Sequence, residues 1–401
     1  MNKPKNILIV TYWSFSDALI QTYTLPYLEL ILKTLPPDSS LFLLTLDKDK
    51  ITSSYSTKNK AIKNISIQYK SFGFKGFIMW GKIFLKLLRL IRKENISTIH
   101  CWCTPAGMIG YILSIFTGKE LIIDSYEPHA EAMIQNGAWK KNSFAFKLLF
   151  KFEKLQTSKA KYLIAASEGM KQYANDKFNH SSENILVKPA CVNLELFSFK
   201  NKKNKQLIKN LHLENKIVCV YAGKFGGIYL DYEVFDFFKA AETYWKDNFK
   251  VLILSSQLPN EINYLKLKSG LKPETVIVKY VEHSQIPNYI GLADFAITPV
   301  KSVPSKKYCS PIKDGEYWAL GLPVVITKDI SDDSGIIEDN NIGSILYELN
   351  ENSYFESIKN IDFILKNTTP KELYKKIRLI AEKYRNFEIA AKVYNYIYGN
   401  K

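Results

Sequence analysis

The segment Ser310-Pro311-Ile312-Lys313-Asp314-Gly315-Glu316-Tyr317-Trp318-Ala319-Leu320-Gly321-Leu322-Pro323-Val324 holds the densest chemistry in the sequence. Ser310 is placed to cap a helix, Pro311 suits its first position and Gly321 its C-terminal end. A helix N-terminus presents unpaired N–H groups and a partial positive charge, which together bind anions. Glu316 lies about a turn and a half further on, where a carboxylate can accept both hydroxyl protons of a vicinal diol. Diphosphate on the backbone of Ser310, Pro311 and Ile312, with Lys313 beside it and a ribose on Glu316, describes a nucleotide-sugar site. An ordinary helix–strand unit with Lys313 and Glu316 in solvent has the same spacing.

Two further groups stand out. Asp124-Ser125-Tyr126-Glu127-Pro128-His129-Ala130-Glu131 places three acids and a histidine just after an apolar run. Lys82, Lys86, Arg89 and Lys93 share one face of a predicted helix whose other faces are apolar. That pattern fits either a membrane-surface helix or a core helix with a solvated edge.

Short apolar runs must carry these groups. Residues 6–11, 41–46, 65–69, 97–102, 121–124, 162–167 and 185–190 read as strands in the first half. Several are apolar on both faces, as strands inside a parallel sheet are. Helix-length segments such as 17–33, 76–93 and 142–159 lie between them, which predicts a doubly wound α/β domain. The Lys- and Asn-rich stretch 199–210 reads as a linker. Residues 217–222, 250–255, 275–280, 295–299 and 323–327 then repeat the rhythm, and 370–398 reads as helical. The expected division is a domain at 1–198, a linker at 199–210, a domain at 211–375, and a helix at 376–401 that packs back on the first domain. Two such domains predict a ligand in a cleft at the carboxyl ends of their strands.

The 55 basic and 39 acidic residues leave a net charge of +16, unevenly spread. Residues 1–200 carry 27 basic and 15 acidic side chains; residues 51–100 alone carry 10 basic residues and one acid, Glu94. An anionic partner is therefore expected to meet the first half. Charge alone admits nucleic acid, anionic lipid or phosphorylated metabolites. The five cysteines form no CxxC pair, which argues against a disulfide framework or zinc site and for a reducing cytoplasm. No apolar run reaches the roughly 18 residues of a membrane span. The opening MNKPKNILIV reads as a first strand rather than a signal peptide.

The segment Glu316-Tyr317-Trp318-Ala319-Leu320-Gly321-Leu322-Pro323-Val324 resembles the E-x-x-A-x-G-x-P-V donor signature of the family 4 retaining glycosyltransferases, which have the GT-B fold. Ala165–Met170, Pro189–Phe197, Tyr221–Lys224 and His283–Tyr289 resemble other segments of that family in order and spacing. Three departures are specific. Tyr308 stands where the family has an acid eight positions before the glutamate. Lys224 stands where it has an arginine. Phe225-Gly226-Gly227-Ile228-Tyr229 replaces a stretch that usually supplies a second lysine.

The resemblance implies two Rossmann-like doubly wound domains facing across a cleft. It implies a nucleotide-diphosphate sugar held by Gly223, Lys224, Ser310, Pro311, Ile312, Lys313 and Glu316. It implies an acceptor on the N-terminal domain, with Asp124, Glu127 or His129 facing the reacting sugar. Transfer would retain anomeric configuration and need no metal and no cofactor, the nucleotide sugar being a co-substrate. The expected activity is hexosyl transfer to a glycan or lipid-linked acceptor in cell-surface polysaccharide assembly. The expected place is the cytoplasm, with Lys82, Lys86, Arg89 and Lys93 on the inner face of the membrane and no nucleic acid as partner. A GT-B sugar-nucleotide epimerase and a catalytically silent GT-B-like protein are the alternatives, the second kept open by Tyr308. The lack of a G-x-G-x-x-G after residues 6–11 or 217–222 argues against a dinucleotide oxidoreductase.

Overall fold

The computed structural model describes residues 3–17, 19–47, 57–69 and 74–399. β1 (Asn6–Val10), β2 (Leu41–Asp47), β3 (Ile62–Gln68), β4 (Ile96–Trp102), β5 (Glu120–Tyr126), β6 (Tyr162–Ala165) and β7 (Ile185–Val187) form one sheet. Its order is β3-β2-β1-β4-β5-β6-β7, and every pairing is parallel. β8 (Ile217–Ala222), β9 (Phe249–Leu254), β10 (Val276–Lys279), β11 (Phe295–Thr298), β12 (Val324–Thr327) and β13 (Gly343–Leu346) form a second parallel sheet, ordered β10-β9-β8-β11-β12-β13. Both orders reverse beside the first strand of their sheet, as in doubly wound folds.

Helices on both faces explain why the central strands are apolar throughout. All seven residues of β2 are buried. On β8, Val218, Val220 and Ala222 enter one core while Cys219 and Tyr221 enter the core on the opposite face. The helix Cys103–Thr117 packs close because Gly107 and Gly110 lack a Cβ. One added at Gly110 would lie 2.1 Å from Cys101 Sγ.

The chain divides into two compact units: residues up to Lys188 with those from Glu388 on, and Pro189–Phe387. The division falls ten residues ahead of the expected 198, because Val192 and Phe197 are buried in the core of the second unit. The expected linker is also part of that unit. Phe199–Asn201 is a 3-10 turn, Lys205–Asn210 is a helix capped by Asn204, and Leu207, Ile208 and Leu211 pack on the core. The single helix expected over 370–398 is two, Pro370–Arg385 and Phe387–Tyr398. They part at Asn386, whose backbone pairs with Val192. A capping box between Thr369 and Glu372, with Pro370 in the first turn, fixes where the former begins. Pro26 similarly splits the expected 17–33 helix into a π-helical turn, Leu19–Thr24, and the helix Leu25–Thr34.

Candidate active site

In the second unit the order reverses between β8 and β11, and the carboxyl ends of these strands carry the donor-side candidates. After β8 the chain passes through Gly223 and Lys224 to Gly226 (φ 81°) and Gly227 (φ 65°), left-handed positions that favour glycine. The loop then reaches the end of β11: Leu230 N–H donates to the Pro299 carbonyl at 2.7 Å, and Lys301 N–H to Ile228 at 3.0 Å. Lys224 has an exposed side chain, while its carbonyl accepts the Tyr221 hydroxyl at 2.5 Å. Tyr229 brings this loop against the next one. Burial raises its phenol, and the neighbouring Cys309 and Asp314 raise it further.

The helix expected after Ser310 spans Ile312–Ala319, but Ser310 does not cap it. Pro311 occupies the N-cap, with no side-chain cap bond. The Ser310 hydroxyl instead accepts from Ala190 N–H at 3.0 Å and from Arg385 Nη1. Pro311 has no N–H to offer an anion, so the donors at this end are the first amides of the helix, from Ile312 on. Lys313 and Glu316 are brought together, Nζ to Oε2 at 3.0 Å. Glu316 is not solvated: it is 4% exposed and lies beneath the half-buried Lys313. Tyr308 ends the 3-10 turn Pro304–Tyr308 that leads into this loop.

A network absent from the sequence reading underlies the loop. Arg385 is buried, donates to Ser310 and to Asp333, and stands 5.4 Å over the Trp318 ring. Asp314 points inward from the same helix, accepts the Thr298 hydroxyl and neighbours Asp333. Burial, and then the facing carboxyl, push Asp314 well above the usual range; burial raises Asp333 too, against the pull of Arg385. The sequence carried one signal of this. Leu373, Ile377, Ala381 and Arg385 recur every fourth residue on the buried face of the Pro370–Arg385 helix, so the arginine continues an apolar stripe.

In the first unit the three candidates after β5 separate. Asp124 is 0% exposed. Its carboxylate accepts from Tyr394 at 2.7 Å and from Ser125 N–H at 2.6 Å; Lys188 Nζ lies at 3.2 Å and His100 Nε2 at 3.4 Å. Burial opposes its charge, but Lys188, His100 and Tyr394 outweigh that and hold the carboxyl at about 2. Lys188 also sits 3.8 Å over the Tyr27 ring, and His100 Nδ1 lies 2.6 Å from the Tyr398 hydroxyl. Asp124 therefore anchors the Phe387–Tyr398 helix to the sheet rather than facing solvent.

Glu127 and His129 lie beyond the end of β5, whose register shifts at Ser125 (φ 51°). They pair at 3.6 Å, Oε1 to Nδ1, with side chains 36% and 28% exposed, and His129 opens the helix His129–Gln135. At the same edge the hydroxyls of Tyr12 and Tyr69, just past β1 and β3, are 3.4 Å apart. Of the histidine–acid cluster, only Glu127 and His129 thus form an accessible pair.

The basic stripe lies on the helix Phe74–Lys93. Ile83, Leu87 and Ile91 are buried, while Lys82, Lys86, Arg89 and Lys93 are exposed. Ile78 and Leu85 are exposed as well, and Phe84 meets the exposed Phe116 of the Cys103–Thr117 helix edge to face at 5.3 Å. Among the described residues no helix is long and apolar enough to cross a membrane.

No family model matches the chain, and no curated protein matches it. Solved structures do. A sucrose-phosphate synthase from Thermosynechococcus elongatus is similar over 98% of both chains, with a TM-score of 0.74 and 15% identity. WaaG, a glycosyltransferase involved in lipopolysaccharide biosynthesis, is similar over 98% of this chain and 100% of its own, with a TM-score of 0.70 and 12% identity. HepE from Anabaena, solved in complex with UDP, is similar over 98% of this chain and 99% of its own, with a TM-score of 0.66 and 14% identity. With its two doubly wound parallel sheets, the chain has the α/β fold of the GT-B glycosyltransferases.

Proposed function

We propose that the chain is a retaining hexosyltransferase, of the family 4 type, that moves a sugar from a nucleotide diphosphate to a glycan or lipid-linked acceptor. The observation that carries this reading is the convergence at the carboxyl edge of the second sheet. The glycine loop with Lys224 meets the loop that opens the Lys313–Glu316 helix, beside the reversal of strand order. Diphosphate would lie on the first helix amides between Lys224 and Lys313, and Glu316, aligned by Lys313, would take the ribose diol. Negative charge grows on the diphosphate as the glycosidic bond breaks, and preorganised cations and amides stabilise it there. Glu127 and His129 are the groups proposed to face the reacting sugar.

The binding of UDP by HepE makes a UDP-sugar the first donor to try. A thermal-shift series with UDP-, GDP- and ADP-sugars tests the reading, because a ligand that binds the native state raises the melting temperature by mass action. No shift with any of them would reject it. Tyr308 favours a second reading, a nucleotide-sugar binding protein without transferase activity; donor binding with neither transfer nor hydrolysis would select it.

The acceptor is proposed to be lipid-linked, with the protein on the cytoplasmic face of a membrane during cell-surface polysaccharide assembly. The exposed basic row Lys82, Lys86, Arg89 and Lys93, with Ile78, Leu85 and Phe116 exposed nearby on the same two helices, supports it. Such a face combines electrostatic attraction to anionic lipid with apolar side chains to bury.

A further inference from the structure

Glu153 is fully buried in the middle of the Phe144–Lys159 helix, in the first unit. Its Oε1 lies 3.1 Å from the hydroxyl of Tyr173, on the helix Gly169–Phe178. Its Oε2 makes no hydrogen bond of ordinary geometry among the described residues, although the Ala130 amide, in the first turn of the His129–Gln135 helix, favours its charge. Among the described residues no cation forms an ion pair with it. The charged groups that face it are Glu131, from that same helix, and Glu127, from the turn before it, and both repel a negative charge. From β5, Tyr126 bonds the Thr157 hydroxyl at 2.8 Å, and that hydroxyl is spent on the Glu153 backbone carbonyl. Lys177, on the Gly169–Phe178 helix with Tyr173, is bound to Glu131 at 2.8 Å.

A buried carboxylate without a cation is costly, and the ordinary resolution is to keep the proton. Neutral Glu153 also solves a counting problem. Tyr173 interacts with both Glu153 and Glu131 and has one proton to give. If Glu153 is protonated, its O–H donates to the Tyr173 oxygen, Tyr173 donates to Glu131, and Lys177 donates to the same carboxylate. If Glu153 is ionised, two carboxylates compete for one hydroxyl.

We propose that Glu153 is a positioning residue held as the neutral acid. Its proton closes the chain Glu153–Tyr173–Glu131–Lys177 and so fixes the first turn of the His129–Gln135 helix and the Glu127–His129 pair at its start. The role in catalysis rests on the reading of that pair as the acceptor-side group; the latch itself does not. Burial above all, with repulsion from Glu131 and Glu127, moves the carboxyl up to about 8, so the latch releases in mildly alkaline solution as its proton passes to hydroxide.

Amide hydrogen exchange of residues 130–135 at pH 7 and pH 9, corrected for intrinsic rates, tests the latch without any substrate. Protection in the full-length protein should fall by about tenfold, the equivalent of one pKa unit. Glu153→Gln carries an N–H in place of the O–H and should stay protected at both values. Tyr173→Phe should be loose already at pH 7. A wild-type chain equally protected at both values, a Gln variant that loosens in step with it, or a tightly protected Phe variant would each overturn the proposal. Transfer rates would add an alkaline limb near pH 8 in the wild type that Glu153→Gln lacks. The exchange behaviour without transfer from any donor would sink the transferase reading and leave the latch standing. Transfer with unresponsive exchange would do the reverse.

Discussion

Asp124 and Glu153 are buried carboxyls of the same unit, and their surroundings drive them in opposite directions. Asp124 has Lys188 at 3.2 Å and three further favourable partners, so it keeps its charge; Glu153 faces two acids and gives its charge up. Asp124→Asn should therefore leave Lys188 buried without its counterion, at a cost of about 3–5 kcal/mol, read by urea unfolding. The folded value of about 2 lies below the roughly 3.9 of an unfolded aspartate. This stabilisation is thus complete above about pH 4 and lost as pH falls towards 2, and the Asn variant should show a shallower acid limb. On the donor side, Glu316→Ala should weaken nucleotide binding by about 1.5–3 kcal/mol, as loss of hydrogen bonds to a charged group does. Unchanged affinity in titration calorimetry would remove Glu316 from the site. Lys224→Ala should lower turnover at saturating donor, and Lys224→Arg should restore much of it, since the diphosphate needs the charge more than the shape.

At the scale of elements, the Pro370–Arg385 helix ends where Arg385 holds Ser310 and Asp333. Arg385→Met keeps the length and removes the charge. It should destabilise the second unit by about 3–5 kcal/mol at neutral pH, because Asp333 loses the cation that offsets its burial; urea unfolding would report it. The helix Phe74–Lys93 invites a different test. Changing Lys82, Lys86 and Lys93 together to Glu should abolish binding to anionic vesicles and leave thermal stability close to wild type, since all three side chains are exposed. Wild-type binding should also weaken as salt rises.

These elements show what a single sequence reveals. Short apolar or β-branched runs announce strands, most plainly those buried on both faces, and twelve strands were legible. β13 was not, because Gly343-Ser344-Ile345-Leu346 is short and half polar, and only its pairing with β12 makes it a strand. That Lys313 and Glu316 share one helix was legible because their spacing is local; their ion pair and the burial of Glu316 were not. The fate of Ser310 was not: its partners Ala190 and Arg385 lie 120 and 75 residues away, and capping propensity contains no term for them. Asp124 reads as a strand-end acid, and only the return of Tyr394, 270 residues later, shows it to be core.

That return matters for the molecule as a whole. The first unit is built from two separate stretches of chain, with the whole of the second unit between them. A chain truncated before Glu388 loses Tyr394 and Tyr398, so Asp124 and His100 each lose a hydrogen-bond partner and Tyr27 loses an aromatic neighbour. Limited proteolysis should then cut within residues 3–188 first, while Pro189–Phe387 resists. Equal resistance of both units would show that the last helix contributes little.

The same interruption sets a timetable on the ribosome. At about 5–20 residues per second, the stretch from Pro189 to Phe387 takes roughly 10–40 s to synthesise. During that interval Asp124, Lys188 and His100 have been made but the tyrosines that complete their surroundings have not. The second unit, continuous in sequence, can finish folding first, and the nascent first sheet waits with a charged gap in its core. Chaperone dependence of this protein should therefore concentrate on its earliest-made half, and a stalled or prematurely released chain would carry a finished second unit and an unfinished first one.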